Sequence, residues 1–141
     1  MIGINNPFNI RYVTSANWKG LNQDNPCTRG FCNFISRDYG IRAALYLLIR
    51  SYRRQNICTI ERIINRFAPS TENETSNYIK FVEYKTCILR SHPLSNIFEY
   101  CMVLFAMSIF EGNRVEFTDI YYTYVKFNKI ENLKICDYGK A

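Results

Sequence analysis

From Ile97 to Phe110 the chain is apolar almost without a break, and only Glu99 and Ser108 interrupt it. The run of about 14 residues is shorter than the roughly 20 that a membrane-crossing helix needs. A helix lying on a surface would show a polar face, and this segment has almost none. It therefore predicts a helix buried on nearly every side. The run ends at Glu111-Gly112-Asn113, where Gly112 supplies the left-handed residue that commonly closes a helix. Glu111 is thus expected where a buried helix surfaces. Apolar walls and the negative end of the helix dipole both disfavour its charged form. A carboxylic acid kept protonated near neutral pH is what a general acid for glycoside cleavage requires. The competing reading is an exposed acid in the last helical turn, slightly destabilising there.

The flanking sequence supports a mostly helical fold. The first forty residues are rich in Asn, Gly and Pro with short aromatic islands, Phe8 to Tyr12, Trp18-Lys19-Gly20 and Phe31 to Phe34. Such islands between turn formers predict loops and one small hairpin. From Tyr39 the pattern changes. Ile41, Ala44, Leu45, Leu48, Ile49 and Tyr52 form one helical apolar stripe. Thr59 caps a second helix with stripe Ile60, Ile63, Ile64 and Phe67, ended by Ala68-Pro69. Thr71 and Glu74 match a capping box that opens a third helix, with Tyr78, Phe81 and Val82 on one face. Thr118 to Phe127 suits a strand nearly as well as a helix and is read as helix.

At 141 residues, 48% hydrophobic and 16% aromatic, the chain can bury a real core as one domain. Its formal charge of +6 favours anionic partners such as cell wall, nucleic acid or a membrane surface. The basic residues are scattered, and the densest group, Arg50, Arg53 and Arg54, is read as decorating a helix's solvent face. Met1 to Pro7 carries neither the basic nor the apolar region of a signal peptide, so synthesis in the host cytoplasm with reduced thiols is expected. Of the six cysteines, Cys58, Cys87 and Cys101 fall inside predicted helices, where a free thiol packs as a small hydrophobe. The chain has no CxxC pair, and its one histidine, His92, precedes Pro93 in a predicted loop. Neither a metal site nor a Cys-His nucleophile is expected, and no cofactor is called for.

Two resemblances follow. Asn6-Pro7-Phe8-Asn9-Ile10-Arg11, Trp18-Lys19-Gly20, Phe31 to Phe34 and Tyr39-Gly40-Ile41-Arg42-Ala43 resemble a family of small phage and prophage virion-associated structural proteins. Thr59 to Pro69, then Glu72 to Thr75 and Tyr78, continue the match. The same early motifs, in the same order, resemble flagellar-type glucosaminidases of the lysozyme superfamily. In those enzymes a helix ending in Glu-Ser-Gly precedes them. Here that element resembles Met107 to Gly112, without the Ser and at the far end of the chain. The resemblance implies a mainly α, circularly permuted lysozyme-like domain over residues 1–141, with a loop and β-hairpin region at 1–38 and helices at 39–141.

On that reading Glu111 protonates the glycosidic oxygen of an aminosugar chain. A second carboxylate would come from Asp38 or Glu72, each equally readable as a first-turn acid at a helix start. If neither serves, a lytic transglycosylase is implied, because the sugar's own hydroxyl attacks and one acid suffices. Asn9, Tyr12 and Trp18 are substrate-contact candidates, with Tyr39 and Tyr78 lining the same groove. The plainer reading of Trp18 is a plug between loops and helices, and of Tyr78 a core residue on its stripe. The expected function is a phage-encoded peptidoglycan-cleaving enzyme, glucosaminidase, muramidase or lytic transglycosylase, carried in the virion or released to the wall. Its partners are then peptidoglycan glycan strands and other virion proteins, with no membrane span and no nucleic acid. The alternatives are a non-catalytic virion or wall-binding protein with a lysozyme-like shell, and a phage protein that binds a host factor.

Overall fold

The computed structural model describes residues 1–69 and 71–127, apart from the side chains of Glu72 and Asn73. The fold is mainly helical with a small irregular N-terminal region. Strands β1 (Cys27–Thr28) and β2 (Phe31–Cys32) form an antiparallel hairpin, with Cys27 opposite Cys32 and Thr28 opposite Phe31. Helices α1 (Arg37–Tyr46), α2 (Ile60–Phe67), α3 (Glu72–Thr86), α4 (Ile97–Phe110) and α5 (Phe117–Lys126) follow.

Helix α4 is the centre of the packing. Asn96 caps its start, accepting the Glu99 N–H at 3.0 Å. Its C-terminus closes with paired bonds, Gly112 N–H to the Ile109 carbonyl and Asn113 N–H to the Ser108 carbonyl, both 2.9 Å. Gly112 sits at φ 84°, the left-handed geometry this closure needs. Helices α3 and α5 pack on its sides and α1 touches it. Tyr100, Cys101, Val103, Leu104, Ala106 and Met107 are fully buried. The helix is less enclosed than the sequence predicts, because Phe98 and Phe110 reach the surface. Both rings are stacked there, Phe98 with Tyr121 at 5.4 Å and Phe110 with Tyr78 at 4.0 Å.

The other helices begin where local chemistry dictates. Thr59 accepts from Arg62 N–H and Thr71 from Glu74 N–H, as their sequences predict. The ambiguous segment near residue 120 is helical, and Ile120, Thr123 and Tyr124 bury one face of α5. The sequence gives no sign that α1 continues as a π-helical turn, Leu47–Tyr52. The wider turn inserts a residue's worth of rotation, a device often found beside functional sites. Two cysteines depart from their predicted positions. Cys58 lies in the loop before α2, and Cys87 caps α3 in a left-handed conformation, φ 59°, on the surface.

Two fully buried asparagines organise the irregular N-terminal region. Asn6 donates to the carbonyls of Ile10 and Cys32 and accepts the Ile10 N–H, at 2.9, 3.0 and 2.9 Å. Asn33 accepts the Ile4 N–H at 2.7 Å and donates to the Asn25 carbonyl at 3.0 Å. This region docks on α1 at Gly40, where a Cβ would fall 2.0 Å from the Asn5 carbonyl oxygen. Backbone must move to admit any side chain there. Gly40→Ala should therefore destabilise the fold by about 2–3 kcal/mol, measured by urea denaturation.

Candidate functional site

A cleft of about 1130 Å³ opens between the N-terminal loops and the helices. Asn9, Arg11, Trp18 and Lys19 line one side. Arg42, Tyr46 and the π-helical turn form the floor, and Arg66 to Pro69 close the far end. Phe31 of the hairpin and Glu111 complete the wall. Rings and cations alternate along it. Trp18 meets Tyr46 edge-on at 6.0 Å, Arg42 lies 5.2 Å above Tyr46, Arg11 4.8 Å above Phe31, and Arg66 5.7 Å above Tyr52. Arg42 and Tyr46 share a helix face at i, i+4 spacing, so their pairing follows from the sequence once α1 is recognised.

Glu111 is held from two directions. Asn9 Nδ2 donates to its Oε1 at 2.8 Å, and the Tyr78 hydroxyl donates to its Oε2 at 2.8 Å. Asn9 reaches it through a left-handed backbone, φ 52°, a conformation asparagine adopts more readily than most residues. Asn113 Nδ2 adds a bond to the Pro7 carbonyl at 3.1 Å, tying the end of α4 to the same loop. Burial, then the negative charge of Glu111, pushes the Tyr78 hydroxyl well above its ordinary value.

The structure brings Glu111, Asn9 and Trp18 into one cleft and places Tyr12, Tyr39, Tyr78 and Asp38 outside its lining. Tyr78 is buried behind Glu111 and holds it, so its role is support, not a groove surface. Tyr39 packs on Phe127 at 5.3 Å and crowds Gly20, away from the cleft lining. Tyr12 packs half-buried against the core, its N–H on the Gly30 carbonyl, and is not a cleft residue either. Asp38 occupies the first turn of α1 and pairs with Lys126, the helix-start role open to it from sequence. Glu72 begins α3, and its side chain lies outside the described residues. Among the described residues lining the cleft, Glu111 is the sole carboxylate, facing Arg11, Lys19, Arg42 and Arg66. Sequence reasoning missed Arg42 because an arginine on a helix looks solvated, and it is in fact only 4% exposed, whereas Arg11, Lys19 and Arg66 are exposed and come together only in the fold.

Fold and cleft together define a small, mainly helical protein whose cationic, ring-lined groove opens, among the described residues, on a single acid. Among described protein families no profile matches the chain. Over 117 residues, however, it is 37% identical to protein P5 of Pseudoalteromonas phage PM2, an alignment covering 81% of this chain and 71% of P5. The chain belongs to the family of that phage protein. Among its described residues no helix is long and apolar enough to cross a membrane.

Tyr78 generates a pH prediction. Folding raises its hydroxyl well above 10 and that of Tyr52 to about 12, the latter by burial. Unfolded tyrosines ionise near about 10. Stability from both groups is therefore fully present below pH 10 and is lost as pH rises through the folded values. Tyr78→Phe should remove its share of that alkaline loss and, by deleting the bond to Glu111, cost about 1.5–3 kcal/mol at neutral pH. Urea denaturation at neutral and alkaline pH measures both effects.

Proposed function

We propose that the cleft binds the glycan strands of bacterial peptidoglycan and cleaves between their aminosugars, with Glu111 as general acid. The observation that carries this reading is the meeting of Glu111 with Asn9 and Trp18 in one groove. A ring-lined channel offers stacking faces to sugars, an asparagine amide offers hydrogen bonds to N-acetyl groups, and the basic wall attracts an anionic polymer. With no second carboxylate among the described lining residues, lytic transglycosylase chemistry fits best. Glu111 gives its proton to the leaving glycosidic oxygen, the sugar's own hydroxyl attacks the anomeric carbon, and the carboxylate then accepts the hydroxyl's proton. Its holders suit both states. The Tyr78 hydroxyl can accept as well as donate, and the Asn9 Oδ1 oxygen has no partner among the described residues, so the amide can turn to accept. On this reading the domain is a permuted lysozyme-like unit, carried in the virion or released to the cell wall at lysis.

A second reading, a non-catalytic wall-binding or virion component, is favoured by the same bonds. A carboxylate whose two oxygens both accept hydrogen bonds serves as a structural tie without moving a proton.

Incubation with purified peptidoglycan, followed by mass analysis of the released fragments, separates these readings. The expected products carry anhydro-sugar ends, and Glu111→Gln should slow their release by at least about 100-fold while co-sedimentation with the wall persists. Reducing ends would assign a hydrolase instead. Intact glycan with retained binding would leave the second reading standing.

A further inference from the structure

The β1–β2 hairpin carries two thiols in register. Cys27 and Cys32 are directly opposite partners. The turn between them, Arg29-Gly30, has both residues left-handed at φ 51° and 85°, as a tight two-residue hairpin turn requires. Asn33 N–H bonds the Pro26 carbonyl at 2.9 Å, so residues 26 and 33 form a hydrogen-bonded pair. Such pairs alternate with non-hydrogen-bonded ones along an antiparallel ladder, which makes Cys27 and Cys32 a non-hydrogen-bonded pair. At these positions the Cα atoms lie about 4.5 Å apart with both side chains on one face. That separation is inside the range of about 4.4–6.8 Å that a disulfide accepts without backbone movement.

We propose that Cys27 and Cys32 are a dithiol pair that closes to a cross-strand disulfide when the protein meets a disulfide oxidant. In the structure both are free thiols, Cys27 half-buried and Cys32 buried. The more accessible Cys27 reacts first. Its thiolate attacks one sulfur of a small-molecule disulfide, forming a mixed disulfide and releasing one small thiolate. The Cys32 thiolate then attacks the Cys27 sulfur and expels the second. Two protein thiols are oxidised by two electrons, one small disulfide is reduced to two thiols, and the two protein protons end on those thiols. Burial pushes the Cys32 thiol up to about 11, with the neighbouring Cys27 sulfur adding to the shift, so Cys32 is not the thiol that reacts first.

The bridge would act on the cleft wall without depending on what the cleft does. Phe31, between the two thiols in sequence, lines the cleft beneath Arg11. Cys32 N–H holds the Ile10 carbonyl at 2.9 Å, and the Cys32 carbonyl accepts from Asn6. A phage protein passes from a reducing host cytoplasm to oxidising surroundings when the cell opens, and the hairpin would then lock.

The test uses the full chain, purified reduced and then incubated folded with oxidised glutathione. The expected result is an intact-mass loss of two hydrogens. Arg29 lies inside the loop, so tryptic cleavage after it should leave the Cys27 and Cys32 peptides joined until reductant separates them. Cys27→Ser and Cys32→Ser should each abolish that joined species. Persistence of both thiols, a stable glutathione adduct at Cys27, or a bridge mapped to any other cysteine would overturn the proposal.

Discussion

One carboxylate joins three distant parts of this fold. Glu111 closes the most apolar helix and accepts from Asn9 in the N-terminal loop and from Tyr78 in α3. At a helix C-terminus a negative group is badly placed, since the last carbonyls already point their negative ends toward it. The two donors offset that repulsion, and their convergence fixes where the loop and α3 meet α4. The paired bonds through Gly112 and Asn113 then turn the chain away, so the carboxylate is left facing the cleft.

The loop it holds is itself unusual in being buried with almost no regular structure. Backbone polar groups taken from water need partners, and a two-residue hairpin supplies few. Asn6 and Asn33 take over part of that task, each acting on backbone N–H and C=O groups from inside the protein. The Asn-rich composition of the first forty residues thus has a structural reason apart from any contact with sugar. Asn5 and Asn9 serve differently, as left-handed turn residues that steer Phe8 and Ile10 into the core.

Much of the helical architecture was legible because its signals are local. The apolar run, the Thr59 and Thr71 caps and the glycine after Glu111 lie within a few residues of the boundaries they mark. The juxtaposition of Asn9, Trp18 and Glu111 was reached through resemblance to a motif order, not through physics. The cationic wall was hidden, because nothing near Arg42 in sequence says that it will be buried between the rings of Tyr46 and Phe127, or near Arg66 that it will lie over Tyr52. The fate of Asp38 depended on Lys126, 88 residues away, which no local pattern encodes. Tyr78 misled in another way. Its ring follows the apolar stripe while its hydroxyl, at the far tip, reaches a carboxylate 33 residues on.

The tie between Asn9 and Glu111 spans 102 residues of sequence. Contacts of such long range form late, after the chain entropy between them has been overcome. During synthesis the N-terminal loop leaves the ribosome well before α4 exists, so neither the groove nor the setting of its acid is present on a growing chain. The groove therefore takes shape only when the chain has been made through α4 and that helix has folded back onto the N-terminal loop.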